Sequence, residues 1–271
     1  MKRISVLTRA CLNGMAICSV LGMVSESRAE QAALTYSDTW KFDASGYGFI
    51  PFSTQGSSTI AGSSVDLDMN LKDALDVLDL AFAGRFEAWR GNLGLILDLN
   101  YIKLTDKVKP TSSISVVVKT EQAWLGLLAA YRVASGTTPK GGKYSIDVQG
   151  GARYNSLKQT ADVDIDGPPA GGTLGGTETW WEPVIGARAI WKIDDRWNGF
   201  AAADAGGFGV GGNDLAWSAT LGAGYKVGKN GALKFGMRYY SIDFSTNRSD
   251  GKFAYDVNQW GPFFGYTYSF N

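Results

Sequence analysis

The chain of 271 residues contains no histidine. A Ser-His or Asp-His nucleophilic site therefore cannot be built, which removes the usual general base of hydrolytic enzymes. There are two cysteines, Cys11 and Cys18, and both fall within the first 29 residues. Beyond residue 29 the fold must hold without disulfides, and zinc bound through His or Cys is excluded there. Prolines number only seven. No apolar run after residue 29 reaches the ~20 residues that a membrane-spanning helix requires. Charge of either sign is also lacking in excess, with 26 bases against 26 acids, so charge does not point to a nucleic-acid binder.

The N-terminus has the form of a targeting segment. Lys2, Arg3 and Arg9 precede the apolar stretch "ACLNGMAICSVLGMV", and Ser27 to Ala29 offer small residues for cleavage after Ala29. Residues 1–29 are read as a signal peptide and 30–271 as one domain. Removing 1–29 takes away four bases and one acid, leaving 22 bases against 25 acids, a formal charge of −3. An exported chain with no apolar helix is either soluble or crosses a membrane as a closed barrel.

What is abundant favours the barrel. Glycine is frequent (35 residues), aromatics reach 13%, and mean hydropathy is −0.09. A barrel spreads its apolar residues in a period of two, so no window looks hydrophobic. In "LGLILDLNYIKLT", Leu93, Leu95, Leu97, Leu99 and Tyr101 face one way while Asp98 and Asn100 face the other. "LAFAGRFEAWR" sets Leu80, Phe82, Phe86 and Ala88 against Arg85, Glu87 and Trp89, and Gly91-Asn92 joins the two as a hairpin turn. "YSIDVQGGARYN", "WWEPVIGARAIWKI", "AWSATLGAGYKV" and "ALKFGMRYY" repeat the pattern. A soluble β-sandwich also alternates. Here, however, the polar face mixes both charge signs with glycine, and the apolar runs end in aromatics such as Tyr101, Trp181, Trp191, Trp217 and Tyr225. That is the arrangement of a narrow lumen and two headgroup girdles.

Ten runs are legible: around 40–50, 79–90, 93–105, 114–133, 143–157, 179–193, 197–207, 214–227, 232–246 and 252–270. The expected fold is an all-β antiparallel transmembrane up-and-down barrel of about ten strands, with eight or twelve open. Both termini then lie on the periplasmic side, with short turns there and long outer loops at 51–78 and 158–178.

The chain ends "FFGYTYSFN", placing Phe264, Tyr266, Tyr268 and Phe270 on one face of a last strand. Gly265, Tyr268 and Phe270 resemble the C-terminal assembly signal of Gram-negative outer-membrane barrels, although Asn271 follows the final aromatic. The segments "GRFEAWRGNLGLILDLNYIKL", "WWEPVIGARAIWKI", "DAGGFGVGGNDLAWSATLGAGYKV" and "LKFGMRYYSIDF" resemble a family of small proteobacterial outer-membrane barrels, broadly of the outer-membrane protein A and W type. The resemblance spans most of 79–271 and implies fold and location but no activity. Expected partners are outer-membrane lipid, including lipopolysaccharide, and the barrel assembly machinery. Neither nucleic acid nor a cofactor is expected, and the oligomeric state is open.

Inward-facing charges form the candidate site: Arg85, Glu87, Asp98, Arg132, Asp147, Arg153, Glu182, Arg188, Asp204, Lys226, Lys234 and Arg238. Either they pair and fill the bore or they line a selective pore. Glu87 and Asp98 as a carboxylate-only catalytic pair compete with the same residues as ion-paired lining. Asp162, Asp164 and Asp166 in "DVDIDG" begin like a calcium loop, but Thr173 stands where its closing Glu would be, and a strand ending in an Asp-Gly turn explains the stretch as well. "GFGVGG" reads as a glycine-rich outer loop rather than a dinucleotide fingerprint, since no strand-then-helix context surrounds it. The sequon at Asn247 is discounted for a bacterial exported protein. "NLKDALDVLD" is the one helical patch, near 70–79, with Asn70 as cap and Leu71, Leu75 and Leu78 on one face. It either folds over or into the barrel mouth, which three leucines in need of burial favour, or packs on its own loop as a short surface helix. Two functions follow: a structural or surface-interaction barrel with a filled lumen, or a small diffusion channel lined by Arg85, Asp98, Arg153, Arg188 and Arg238. An enzyme is not expected.

Overall fold

The computed structural model describes residue 34 and residues 36–270, except 140 and 167–170, and leaves aside the side chains of 108 and 110. The expected signal segment, 1–29, lies outside the described residues. Among the described residues, period-two stretches become strands and little else forms. The elements are β1 (Lys41–Phe49), β2 (Ser53–Ile60), β3 (Ser63–Asn70), α1 (Leu71–Asp76), β4 (Leu78–Arg90), β5 (Leu93–Thr111), β6 (Ile114–Thr137), β7 (Lys143–Ile165), β8 (Gly172–Lys192), β9 (Trp197–Val210), β10 (Asn213–Val227), β11 (Gly231–Arg248) and β12 (Gly251–Phe270).

All strand pairs are antiparallel. The sheet runs β1-β4-β5-β6-β7-β8-β9-β10-β11-β12-β2-β3, and β1 also pairs with β12. That second pairing closes a ring of ten strands, which are the ten runs legible in the sequence. The other two strands, β2 and β3, fall inside the stretch expected to be a loop. β1 and β2 are successive partners of β12: Phe49 pairs with Phe263 and Ser53 with Trp260. Between them the chain breaks at Pro51, which cannot donate to a ladder. Gly261 lets the break lie close, because a Cβ there would stand 2.8 Å from the Pro51 Cα. Ala61 and Gly62, both with positive φ, then turn the chain back into β3.

The expectation of long outer loops is corrected. β7 and β8 run through most of 158–178, and the residues reach that end as extended sheet. "GFGVGG" likewise ends β9 and turns into β10. A transmembrane strand needs ~9–11 residues, whereas β6 has 24 and β7 has 23. The sheet therefore projects well past a bilayer at the end opposite the termini, here called the far end.

The two faces separate as the alternation requires. Outward, Leu93, Leu95, Leu127, Ile185, Leu221 and Phe264 are all more than half exposed. Such an apolar belt around a closed ring is a lipid-facing surface. Phe82 stacks on Tyr101, Tyr154 tilts against Trp181, and Trp217 stacks on Tyr239 toward the far end. Trp197 meets Tyr225 at the terminal end. These are the two aromatic girdles. The last strand closes as its stripe predicts: Phe270 opposes Phe42, Tyr268 opposes Ala44, and Gly265 opposes Tyr47. Phe264 and Phe270 point out to lipid.

Inward, the far half of the barrel is filled by an apolar cluster. Leu104, Leu157, Phe253, Tyr255, Val257 and Ile242 have at most 2% of their surface exposed. Helix α1 caps this cluster. Asn70 accepts from the Lys72 and Asp73 amides and the Asp73 side chain returns the bond, a complete capping box. The helix is shorter than the 70–79 expected, and its buried residue is Ala74, followed by Val77. Leu75, expected to be buried, is half exposed. The reason is length: after six residues the chain must enter β4, so only one turn can face the core.

Candidate functional site in the lumen

Below the apolar cluster the bore is crossed by charge. Glu87, on β4, accepts from Arg85 Nε at 2.7 Å, from Arg188 Nη1 at 2.8 Å and from the Trp89 indole at 2.8 Å. Arg85 continues to Asp98 at 3.1 Å, and Arg188 continues to Asp147 at 3.0 Å. Asp147 also takes Arg132 at 2.9 Å. The result is one chain of alternating sign: Asp98, Arg85, Glu87, Arg188, Asp147, Arg132. β4 and β8 lie four places apart in the ten-strand ring, so the Arg188–Glu87 bond must span the bore. A second group joins Arg153 to Glu182 at 3.2 Å and to Asp204 at 2.8 Å. Asn213 and the Trp180 indole donate to Glu182, and the Ser218 hydroxyl bonds Asp204.

Desolvation explains the arrangement. Glu182 and Asp147 are 2% and 3% exposed, and a carboxylate so buried is tolerable only when its lone pairs are filled by cations and donors. The cross-bore bonds also place the backbone, because each ties strands that share no ladder.

Aromatic contacts span the bore too. Trp124 and Tyr240 stack with ring centroids 6.2 Å apart, and their strands β6 and β11 are opposite one another in the ring. Trp180 and Phe244 stack at 4.0 Å above them, and Ser58 donates to Gln159 at 3.1 Å from the far wall. Below Trp124 a cavity of about 180 Å³ remains beside the ion chain, lined among others by Tyr47, Glu87, Asp98, Arg153, Arg188 and Arg238.

Arg85, Glu87, Asp98, Arg132, Asp147, Arg153, Glu182, Arg188 and Asp204 thus come together in the ion-paired groups. Arg238 joins them differently. Its guanidinium lies 5.9 Å from the Phe49 ring and 5.8 Å from the Tyr240 ring, and its buried Nε has no hydrogen-bond acceptor. Lys234 sits over Phe200 at 6.0 Å, also on the cavity wall. Lys226 falls outside the set, near the terminal-end turn, where its amide bonds the Arg196 carbonyl. Glu87 and Asp98 are joined through Arg85, so as a catalytic pair both are already engaged.

The aspartates of "DVDIDG" lie apart from the lumen. Asp162 and Asp164 belong to β7, paired with Val117 and Ser115, rather than to a loop. Asp162 is engaged by Lys119 at 2.8 Å and by the Thr173 hydroxyl at 2.7 Å. Those two bonds hold its carboxyl below the usual carboxylate range. Among the described residues, no acidic group is gathered for a metal.

Asp43, Tyr47 and Asn213 lie outside the candidates legible in the sequence, and Gln149 falls on the polar face of "YSIDVQGGARYN" but not among its charges. Tyr47 donates to Asp98 at 2.6 Å, Asp43 takes the Ser269 hydroxyl, and Arg85 donates to Gln149 at 3.1 Å. Asp43, Ser45 and Tyr47 do alternate with Phe42, Ala44 and Gly46, a signal too short and glycine-rich to stand out.

No family model matches the chain, and no curated protein matches it by sequence. Among solved structures it is similar to the outer membrane protease OmpT of Escherichia coli, with 10% identity over 88% of this chain and 99% of that one and a TM-score of 0.49. The translocator domain of autotransporter NalP from Neisseria meningitidis follows at 14% identity, 84% and 88% coverage and a TM-score of 0.37. The attachment invasion locus protein Ail of Yersinia pestis gives 10%, 85% and 98%, and 0.34. The fold itself rests on the closed ring, the apolar belt and the paired girdles described above. By that architecture and that lipid-facing surface, the chain is an outer-membrane β-barrel.

Proposed function

We propose that this protein is a non-conducting outer-membrane barrel. Its interior is braced shut, and its projecting far-end sheet is presented outside the cell. The observation that carries the reading is the double closure of the bore. An apolar cluster with Leu104, Leu157 and Phe253 at no measurable exposure lies over a cross-bore ion chain centred on Glu87. An ion crossing both layers would have to shed its shell against the apolar cluster, which supports closure at the far end even though the cavity of about 180 Å³ runs beside the ion chain.

The termini then face the periplasm, and the β5–β8 extensions face outward. A role in stabilising the envelope or in contact with outside partners fits a projecting antiparallel sheet. No enzymatic role is proposed: the chain lacks histidine, and its lumen carboxylates are engaged by arginine. The second reading, a small diffusion channel, draws support from the 180 Å³ cavity and from Arg238 on its wall.

Swelling of proteoliposomes in small sugars and amino acids separates the two. The closed barrel predicts no swelling above empty vesicles when the protein is shown to be folded. Swelling that rises with protein content and falls with solute size would establish the channel.

A further inference from the structure

The outer wall is electrostatically two-sided just above the far-end girdle. On β5, β6 and β7 the outward positions carry Lys103, Lys107, Lys119 and Lys158, against Glu121, Asp162 and, farther out, Asp164. Lys103, Glu121 and Lys158 lie in one row of the ladder, directly above the girdle residues Tyr101 and Tyr154. At ~3.4 Å per residue, Lys103 stands about 7 Å along the strand beyond Tyr101, and Lys107 about 20 Å beyond it. Two of the lysines are partly engaged: Lys119 with Asp162, and Lys158 with Glu121 at 3.5 Å. Their side chains remain 42% and 43% exposed.

The opposite wall is predominantly acidic, with Lys252 of β12 among its carboxylates. Asp66 and Asp68 on β3, Asp256 on β12 and Asp243 on β11 face outward, with Asp243 directly opposing Asp256. A polyanion is repelled there and drawn to β5–β7.

The apolar belt beneath is two-sided as well. Below the lysines it is built of long aliphatics: Leu125 and Leu127 are exposed and pair with Leu99 and Leu97. On β8 and β9 its middle is mostly alanine, where Ala187 pairs with Ala203 and Ala189 with Ala201, next to Ile185 opposite Ala205. Branched side chains give acyl chains a corrugated surface with more dispersion contacts than a flat alanine face.

We propose that the β5–β7 sector is a docking site for one phosphorylated outer-leaflet lipid. Its phosphates lie among Lys103, Lys119 and Lys158, and its acyl chains lie along the leucines below. Phosphate fits because the lysines sit at headgroup height and converge from three adjacent strands. The acyl arm of the site makes the ligand a lipid rather than free phosphate. The inference rests on the membrane placement of the barrel and not on whether the lumen conducts.

The test is native mass spectrometry of the full protein released from detergent micelles. The probes are bis-phosphorylated hexa-acyl lipid A, the same lipid with both phosphates removed, and inorganic phosphate. The expected result is one retained lipid A, with at least tenfold weaker retention of the dephosphorylated lipid and no competition from millimolar phosphate. A variant with Lys103→Gln, Lys119→Gln and Lys158→Gln should lose lipid A at least tenfold while keeping the gel mobility shift on heating that marks a folded barrel. A control with Lys41→Gln, Lys143→Gln and Lys229→Gln, at the terminal end, should bind as wild type. Equal retention by the first variant, equal loss in the control, equal retention of the dephosphorylated lipid, or displacement by phosphate would each overturn the proposal.

Discussion

Replacing Glu87 by Gln removes one charge at the junction of the lumen network while nearly preserving shape. In the native barrel that carboxylate takes Arg85 at 2.7 Å and Arg188 at 2.8 Å, and its exposure is 7%. After substitution, Arg85 retains Asp98 and Arg188 retains Asp147, so each guanidinium keeps one anion and loses one. Removing one partner from a buried ion pair costs ~3–5 kcal/mol. The surviving anions and the amide oxygen, which still accepts, lower this to about 3 kcal/mol. With an m-value near ~2 kcal/mol per molar urea, the unfolding midpoint in phospholipid vesicles should fall by about 1.5 M. Arg188→Gln should behave similarly. The double variant should cost less than the two singles together by ~1–3 kcal/mol, because the groups share one bond. A shift under about 0.3 M for Glu87→Gln, or strict additivity, would refute the idea that cross-bore charge holds the wall.

Three other outcomes follow from the same geometry. Gly222→Val should abolish the heat-modifiable folded form, because a Cβ at 222 would stand 2.5 Å from the Phe235 carbonyl oxygen of the neighbouring strand and 2.6 Å from the Phe200 ring. Leu157→Ala with Phe253→Ala should destabilise the barrel by ~2–5 kcal/mol for each site and open the far-end seal, read as new conductance in a folded protein. The Asp162–Lys119 pair should report acid. Its carboxyl titrates below its unfolded value, so the support it gives is complete above the ordinary aspartate range and is lost as pH falls through the folded value. Hydrogen exchange at the amides of 117–119 and 160–163, corrected for intrinsic rate, should quicken on that descent, and Lys119→Gln should weaken the dependence, leaving the part due to Thr173.

The sequence was most legible where lipid imposes its rule. Leu93 to Tyr101 and Phe264 to Phe270 must keep apolar residues at every second position, so strand and facing are readable residue by residue. Arg85, Glu87 and Trp89 share the lumen face for the same reason. Beyond the bilayer that constraint ends. At 158–178 polar residues occupy both faces, and the stretch looks like a loop although it is paired sheet. β2 hides in "STQGSSTI" because serine and threonine fill its faces. Partner choice across the bore was not readable either. That Glu87 meets Arg188, 101 positions away, depends on ring size and strand stagger, which no local pattern encodes. The leucines of α1 misled because a helix spacing says which residues share a face, not how soon the chain must leave it.

Planar-bilayer conductance of the folded wild-type protein, with the Leu157→Ala and Phe253→Ala double variant beside it, tests the closed lumen most directly. The account predicts a silent wild type at voltages where the variant opens in discrete steps. Reproducible single-channel levels from the wild type would contradict it and assign the charged bore to conduction.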